Sequence, residues 1–94
     1  MYKYVLTLDA EEDIIRIFEY GVNLFGIDQA INYYDMFFEC FEKIATNPYL
    51  FPSASHIKQG FRSCVSGVDT IYYVIVNDGL VEINTIIGRQ DFLK

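Results

Sequence analysis

The chain has 94 residues, of which 52% are hydrophobic and 17% aromatic, and a formal net charge of −6. A chain of this length holds one domain, and its hydrophobicity excludes a disordered segment. The acidity opposes binding to nucleic acid through a broad cationic surface, because such binding is driven by Lys and Arg neutralising phosphates.

Residues 2–8, rich in Tyr, Val, Leu and Thr, suit a short strand. Asp9 with Glu12 three residues on reads as a helix N-cap, and Glu11, Glu12 and Asp13 favour the positive end of the helix dipole. Ile14, Ile17, Phe18, Gly21, Val22 and Phe25 then recur at three- and four-residue steps, one face of a helix that should end at Gly26. Asp28 starts a second helix, with Ala30, Tyr34, Phe37, Phe38, Phe41, Ile44 and Ala45 as its apolar stripe and Asn47-Pro48 as its stop. The very short connection predicts an antiparallel helical hairpin.

Residues 48–60 hold both prolines and a Ser- and Ala-rich run, and form the longest irregular stretch. Strand periodicity follows. Residues 61–65 are one candidate, and Ser66-Gly67 turns the chain. Residues 70–76 are almost entirely β-branched or aromatic, as expected of a central strand. Asn77-Asp78-Gly79 is a hairpin turn. Residues 80–87 return with Leu80, Glu82, Asn84 and Ile86 on one face and Val81, Ile83, Thr85 and Ile87 on the other. The fold class is α+β in the order β-α-α-β-β-β: an N-terminal strand, an antiparallel helical hairpin and a three-stranded antiparallel meander, with the helices packed on one antiparallel sheet.

Charge is distributed unevenly along this order. Residues 1–47 hold nine acids against three bases, a net of −6, whereas residues 48–94 hold four of each. Cys40 and Cys64 are too few for a disulfide scaffold, and no metal-binding spacing such as a CxxC pair is present, so neither metal nor cofactor is expected. The N-terminus lacks the length and flanks of a signal peptide, and no apolar run approaches 18 residues. The expectation is a soluble cytoplasmic protein with no membrane contact.

Groups suited to catalysis are scarce. His56, the sole histidine, falls in the polar loop. Cys64 could pair with it as nucleophile and base, but a thiol between Phe61 and Val65 reads better as a small core residue. Glu11, Glu12 and Asp13 fan around their helix instead of converging. Arg62 and Arg89 are the two arginines of the sheet half. If their strands are neighbours or near neighbours they form a cationic patch able to bind phosphate or carboxylate; alternatively each makes a structural ion pair. The second helix carries Tyr33, Tyr34, Met36, Phe37, Phe38 and Phe41, more than a single core face of about 100° requires. The excess either fills a dense small core or leaves an apolar surface for a partner.

These pieces, in this order, resemble the RelE/ParE toxin superfamily of bacterial toxin–antitoxin modules, and its ParE branch in particular. The resemblance runs from about Tyr4 to Asp91. It rests on Ala10-Glu11-Glu12-Asp13-Ile14 with Ile17 and Tyr20, Phe25-Gly26 followed by Gln29-Ala30 and Tyr33-Tyr34, and Ile44-Ala45-Thr46-Asn47-Pro48. It continues through Gly60-Phe61-Arg62, Ile71-Tyr72-Tyr73 and the closing Ile86-Ile87-Gly88-Arg89-Gln90-Asp91. The resemblance implies a toxin that binds and inhibits DNA gyrase without catalysing a reaction and without binding nucleic acid directly. A ParD-like antitoxin would neutralise it. Target contact would fall on Arg62, Arg89, Asp91 and Phe92, and antitoxin contact on Tyr33, Phe37 and Phe38.

RelE relatives instead cleave messenger RNA on the ribosome, which here would draw on Arg62, Arg89 and Lys58. No Tyr lies beyond Tyr73, and Lys58 is the single base in the loop before Arg62 where RelE proteins carry several. The net charge of −6 opposes approach to a dense phosphate surface, which favours the ParE branch. A third alternative is a degenerate, non-toxic domain that only binds its partner. Asp69 departs from the family pattern, standing where many members carry a histidine or another polar residue.

Overall fold

The computed structural model describes residues 1–88. Its elements are β1 (Lys3–Leu6), α1 (Leu8–Phe25), α2 (Ile27–Thr46), β2 (Arg62–Ser66), β3 (Asp69–Asn77) and β4 (Leu80–Gly88). The order is the expected β-α-α-β-β-β.

Helix α1 starts two residues earlier than expected. Thr7, not Asp9, is the N-cap: its hydroxyl accepts from the Ala10 N–H at 3.1 Å and donates to the Asn84 carbonyl at 2.8 Å. One short side chain thus caps the helix and ties its start to β4, and Asp9 falls within the first turn. Gly26 ends α1 as expected, at φ 90°, with its N–H donating to the Val22 carbonyl. That residue is also the cap of α2, so Asp28 lies inside the second helix instead of capping it. Asn47 closes α2.

The sheet order is β1-β4-β3-β2, with β3 in the interior as the sequence predicts. The pairs β2–β3 and β3–β4 are antiparallel, but β1 lies parallel to β4, so the sheet is mixed and not wholly antiparallel. The reason lies in the hairpin. It leaves β1 through Thr7 and returns to the other end of the same strand, where the Tyr2 N–H donates to the Ala45 carbonyl at 2.9 Å. The two helices therefore act as a crossover connection, the device parallel pairing requires. β2 runs in the same direction as β1, starting level with its last residue, since Arg62 pairs with Tyr73, Tyr73 with Ile83 and Ile83 with Leu6; two hairpin reversals then bring β4 alongside β1 in the same direction.

Strand β4 also departs from simple alternation. Tyr72 faces Thr85 and Tyr73 faces Ile83, which leaves Asn84 as an extra residue. Beyond this bulge the inward side switches, so Ile86 is buried with Val81 and Ile83, not with Leu80 and Glu82. Asp13 covers the irregularity: its carboxylate accepts from the Thr85 hydroxyl at 2.8 Å and from the Ile86 N–H at 3.0 Å. Asp13 is thus a tie between α1 and β4 as well as a dipole partner, while Arg16 donates to its other oxygen at 3.3 Å.

The core lies between the hairpin and one face of the sheet. It joins Ala10, Ile14 and Ile17 of α1, Phe37, Phe41 and Ile44 of α2, and Ile71, Tyr73, Val81, Ile83 and Ile86 of the sheet. Tyr73 also donates its hydroxyl to the Pro48 carbonyl at 2.6 Å, pinning the start of the long loop. That loop folds back on edge strand β2. Ala54 N–H donates to the Phe61 carbonyl at 2.7 Å and Ser63 N–H to the Pro52 carbonyl at 3.0 Å, so the first half of this edge is covered.

Candidate functional site

The tip of the hairpin extends beyond its last printed tie to the sheet, at Tyr33. Tyr33 stands over the β2–β3 turn, at the opposite end of the sheet from Ala45. The six helix residues before it, at about 1.5 Å of rise each, carry the tip roughly 9 Å along the helix from that contact. Under and between the helices at this end runs a groove of about 280 Å³, walled by Ile17, Phe18, Gly21, Phe25 and Tyr34 and floored by Tyr33, Val68 and Asp69. The helices approach closely where Gly21 faces Ala30: a Cβ added at Gly21 would lie 3.5 Å from that of Ala30. The tip residues Leu24, Phe25 and Ile27 are 56%, 63% and 52% exposed.

The floor is a polar knot in apolar surroundings. Tyr33 directs its hydroxyl at Asp69 Oδ2, 2.6 Å away, and at the Ser66 carbonyl, 2.8 Å away, and accepts from the Val68 N–H at 3.0 Å. Burial first, and then the bond to Asp69, push this hydroxyl up to about 12. Gly67 is obligatory here, since its φ of +62° suits glycine and an added Cβ would lie 2.5 Å from the Tyr33 oxygen. Gly88, the last described residue, pairs with Asp69 at this same end of the sheet.

Of the aromatic residues expected to meet an antitoxin, Phe37 is 1% exposed and belongs to the core. Tyr33 is committed to the knot. Phe38 is partly buried, with ring centroids 4.9 Å from Tyr34 and 5.2 Å from Phe41. The exposed apolar surface of the hairpin is carried in part by Tyr34 and Met36 of the expected excess, and otherwise by Ile15, Leu24, Ile27 and Ile31, which were not expected to carry it, together with Tyr20 and Phe25. Their helical spacing was legible, but which side of each helix the sheet would cover was not.

Arg62, one half of the expected cationic patch, is committed to the long loop. Its guanidinium donates to the Phe51 carbonyl at 2.7 Å and lies over the Tyr49 ring at 5.2 Å, so it fastens the loop. β3 separates β2 from β4. Gly88 lies across from the Ser66 end of β2, four residues or about 13 Å along the strand from Arg62. Arg89, Asp91 and Phe92 lie outside the described residues. Lys58 is exposed and lies over the Phe61 ring at 5.8 Å.

Cys64 is buried in the core, where burial first and then the adjacent Cys40 push its thiol up to about 12, the wrong direction for a nucleophile. His56 is exposed on the loop. Among the described residues no group of three or more His, Cys, Asp or Glu is placed to hold a metal ion, and no helix is long and apolar enough to cross a membrane.

The sequence model of the family described as "ParE toxin of type II toxin-antitoxin system, parDE" matches residues 4–91. The chain belongs to this ParE toxin family. Curated relatives agree. Toxin ParE1 of Mycobacterium tuberculosis is 22% identical over 88 residues, spanning 94% of this chain and 90% of that protein. Toxin ParE1 of Caulobacter vibrioides is 29% identical over 73 residues, 78% of this chain and 76% of the relative.

Among solved structures, a chain of the chromosomal ParDE system from P. aeruginosa superposes with a TM-score of 0.81 at 16% identity, covering 94% of this chain and 96% of that one. A YafQ variant from E. coli reaches 0.52 at 11% identity with full coverage of both chains. At these identities both likenesses concern the fold. The ParE fold is the β-α-α-β-β-β arrangement described above, so this chain is a toxin of a type II toxin–antitoxin system in its family and its architecture.

Proposed function

We propose that this ParE-family toxin acts in the cytoplasm by binding DNA gyrase, without catalysing a reaction, and that a cognate ParD-like antitoxin neutralises it. The observation that carries the reading is the family match over residues 4–91, nearly the whole chain. The exposed apolar residues on the hairpin suit a protein that works by contact, since contiguous apolar surface of this kind marks interaction sites. The enclosure of the Cys64 thiol in the core is consistent with a binding role.

In this reading the antitoxin covers the apolar surface of the hairpin, centred on Phe25 and the residues around Phe38. The target meets Arg62 and the closing segment with Arg89, Asp91 and Phe92.

The test is a supercoiling assay with purified gyrase and the intact toxin. Accumulation of cleaved or relaxed DNA that is reversed by the antitoxin is expected, and normal supercoiling at excess toxin would overturn the target assignment. Primer extension after controlled induction reads out the nuclease alternative. Codon-linked cuts in messenger RNA would transfer the function to a ribosome-dependent ribonuclease using Arg62, Arg89 and Lys58. Harmless overexpression with antitoxin binding intact would instead point to a degenerate partner-binding domain.

A further inference from the structure

A second groove, of about 500 Å³, runs along the hairpin and is lined by Ile15, Phe18, Ile31 and Tyr34 together with the carboxylates Glu19 and Asp35. Ile15 and Ile31 are 57% and 43% exposed, and the Phe18 and Tyr34 rings meet edge to face at 5.8 Å to close its floor.

The acids around this groove are in register with it. Glu12 and Glu19 are seven residues apart on α1, and Asp28, Asp35 and Glu42 are spaced by seven on α2, so each set lies along one side of its helix. All five are exposed. The apolar strip therefore runs between two rails of carboxylates. Across α1 and α2 there are nine acids against two bases, a net of −7. One of those bases, Arg16, is paired with Asp13, and the other, Lys43, sits in the last turn of α2, away from the groove.

An amphipathic helix laid in such a groove presents an apolar row downward and its flanking residues sideways. Here those flanks meet carboxylates on both sides. Acidic flanks would set like charges against each other, whereas Lys or Arg can lay their methylene stems along the apolar walls and carry the charge to the rails. We infer that the antitoxin segment covering this groove is a basic amphipathic helix, an apolar row bordered on both sides by Lys or Arg. The inference rests on the reading that an antitoxin captures this chain, and adds to it the groove and the charge pattern of the occupant.

The test uses the intact toxin and two synthetic helices that share one apolar row, one flanked by Lys and the other by Glu, with binding followed by fluorescence anisotropy. The Lys-flanked helix should bind about tenfold more tightly, from several exposed ion pairs acting together. That advantage should shrink as ionic strength rises. The double variant Glu19→Lys/Asp35→Lys should remove most of the preference, and Ile31→Asp should remove binding of the Lys-flanked helix, with circular dichroism confirming the fold of each variant.

Equal affinity for the two helices, or binding that survives Ile31→Asp, would overturn the inference. So would a concentration-dependent dimer of the toxin that Ile31→Asp abolishes, because a second copy would then be the occupant. The capture reading is tested separately with the product of the adjoining reading frame. If that antitoxin binds the charge-reversed toxin as tightly as the original, the groove assignment fails and capture stands. If no adjoining product binds the unaltered toxin, capture itself fails.

Discussion

Where the hairpin covers the sheet, Phe37, Phe41 and Ile44 are at most 1% exposed, whereas at its tip Leu24, Phe25 and Ile27 are all more than half exposed. The same residue types serve opposite ends. At the covered end the apolar rings are joined by polar ties that fix the helices to the sheet: Thr7 to Asn84, Asp13 to Thr85 and Ile86, and Tyr2 to Ala45. At the tip no tie to the sheet extends past the Tyr33 knot among the described residues. Stability and recognition are thus separated along one pair of helices, with Tyr33, Asp69 and Gly67 at the boundary. Substitutions on either side of that boundary should have opposite signatures.

The largest effect on stability belongs to the covered end. Phe37→Ala removes a ring from the core and should cost about 3–5 kcal/mol, read as a lower denaturation midpoint. A loss below 1 kcal/mol would mean that Phe37 is not the core residue its burial indicates. Gly67→Ala strikes the boundary. The new methyl must adopt a left-handed conformation and displace the Tyr33 ring, so about 2–3 kcal/mol should be lost from backbone strain and broken hydroxyl bonds. Asp13→Ala comes next, at roughly 1–3 kcal/mol, because it strips the Ile86 N–H at the bulge of its acceptor. Protection of that amide in hydrogen exchange should fall with it.

Alkaline pH sharpens the boundary further. Tyr33 and Tyr73 are both pushed up to about 12 by burial, from an ordinary value near 10. A folded state that holds these protons more tightly than the unfolded chain has its full stabilisation below pH 10 and loses it as pH rises through 12. Stability measured by denaturant titration should therefore decline across that window, and Tyr33→Phe should make the decline shallower. An unchanged slope in the variant would show that Tyr33 does not hold its proton in the knot.

Much of this arrangement was legible because it is local. Gly26 and Asn47-Pro48 end helices through backbone preferences that need no tertiary context, and the apolar run of residues 70–76 marked the interior strand. What was hidden depends on distant partners. Thr7 and Asp9 are both competent caps two residues apart, and only the Asn84 carbonyl favours Thr7. The bulge at Asn84 leaves no mark in an alternating pattern, and Asp13, which repairs it, lies 73 residues from Ile86. The parallel placement of β1 follows from where the hairpin returns, not from any residue in the strand. Tyr33 and Asp69 are 36 residues apart, so no spacing rule connects them. Phe37 and Phe38 are neighbours on a broad apolar face, and only the position of the sheet decides that Phe37 is enclosed while Phe38 sits at the margin.

The smallest effect on stability should come from the tip, and it discriminates most between the two ends. Phe25 is 63% exposed at the last turn of α1. Little area returns to water when it is replaced, so Phe25→Asp should change unfolding free energy by no more than about 0.5 kcal/mol. The same substitution puts a carboxylate on the wall of the 280 Å³ groove. Any partner that fills the groove with apolar side chains would then have to desolvate a charge, so capture should weaken at least tenfold while the melting curve stays in place. A fall in both together would mean that the tip, like the covered end, is part of what holds the fold.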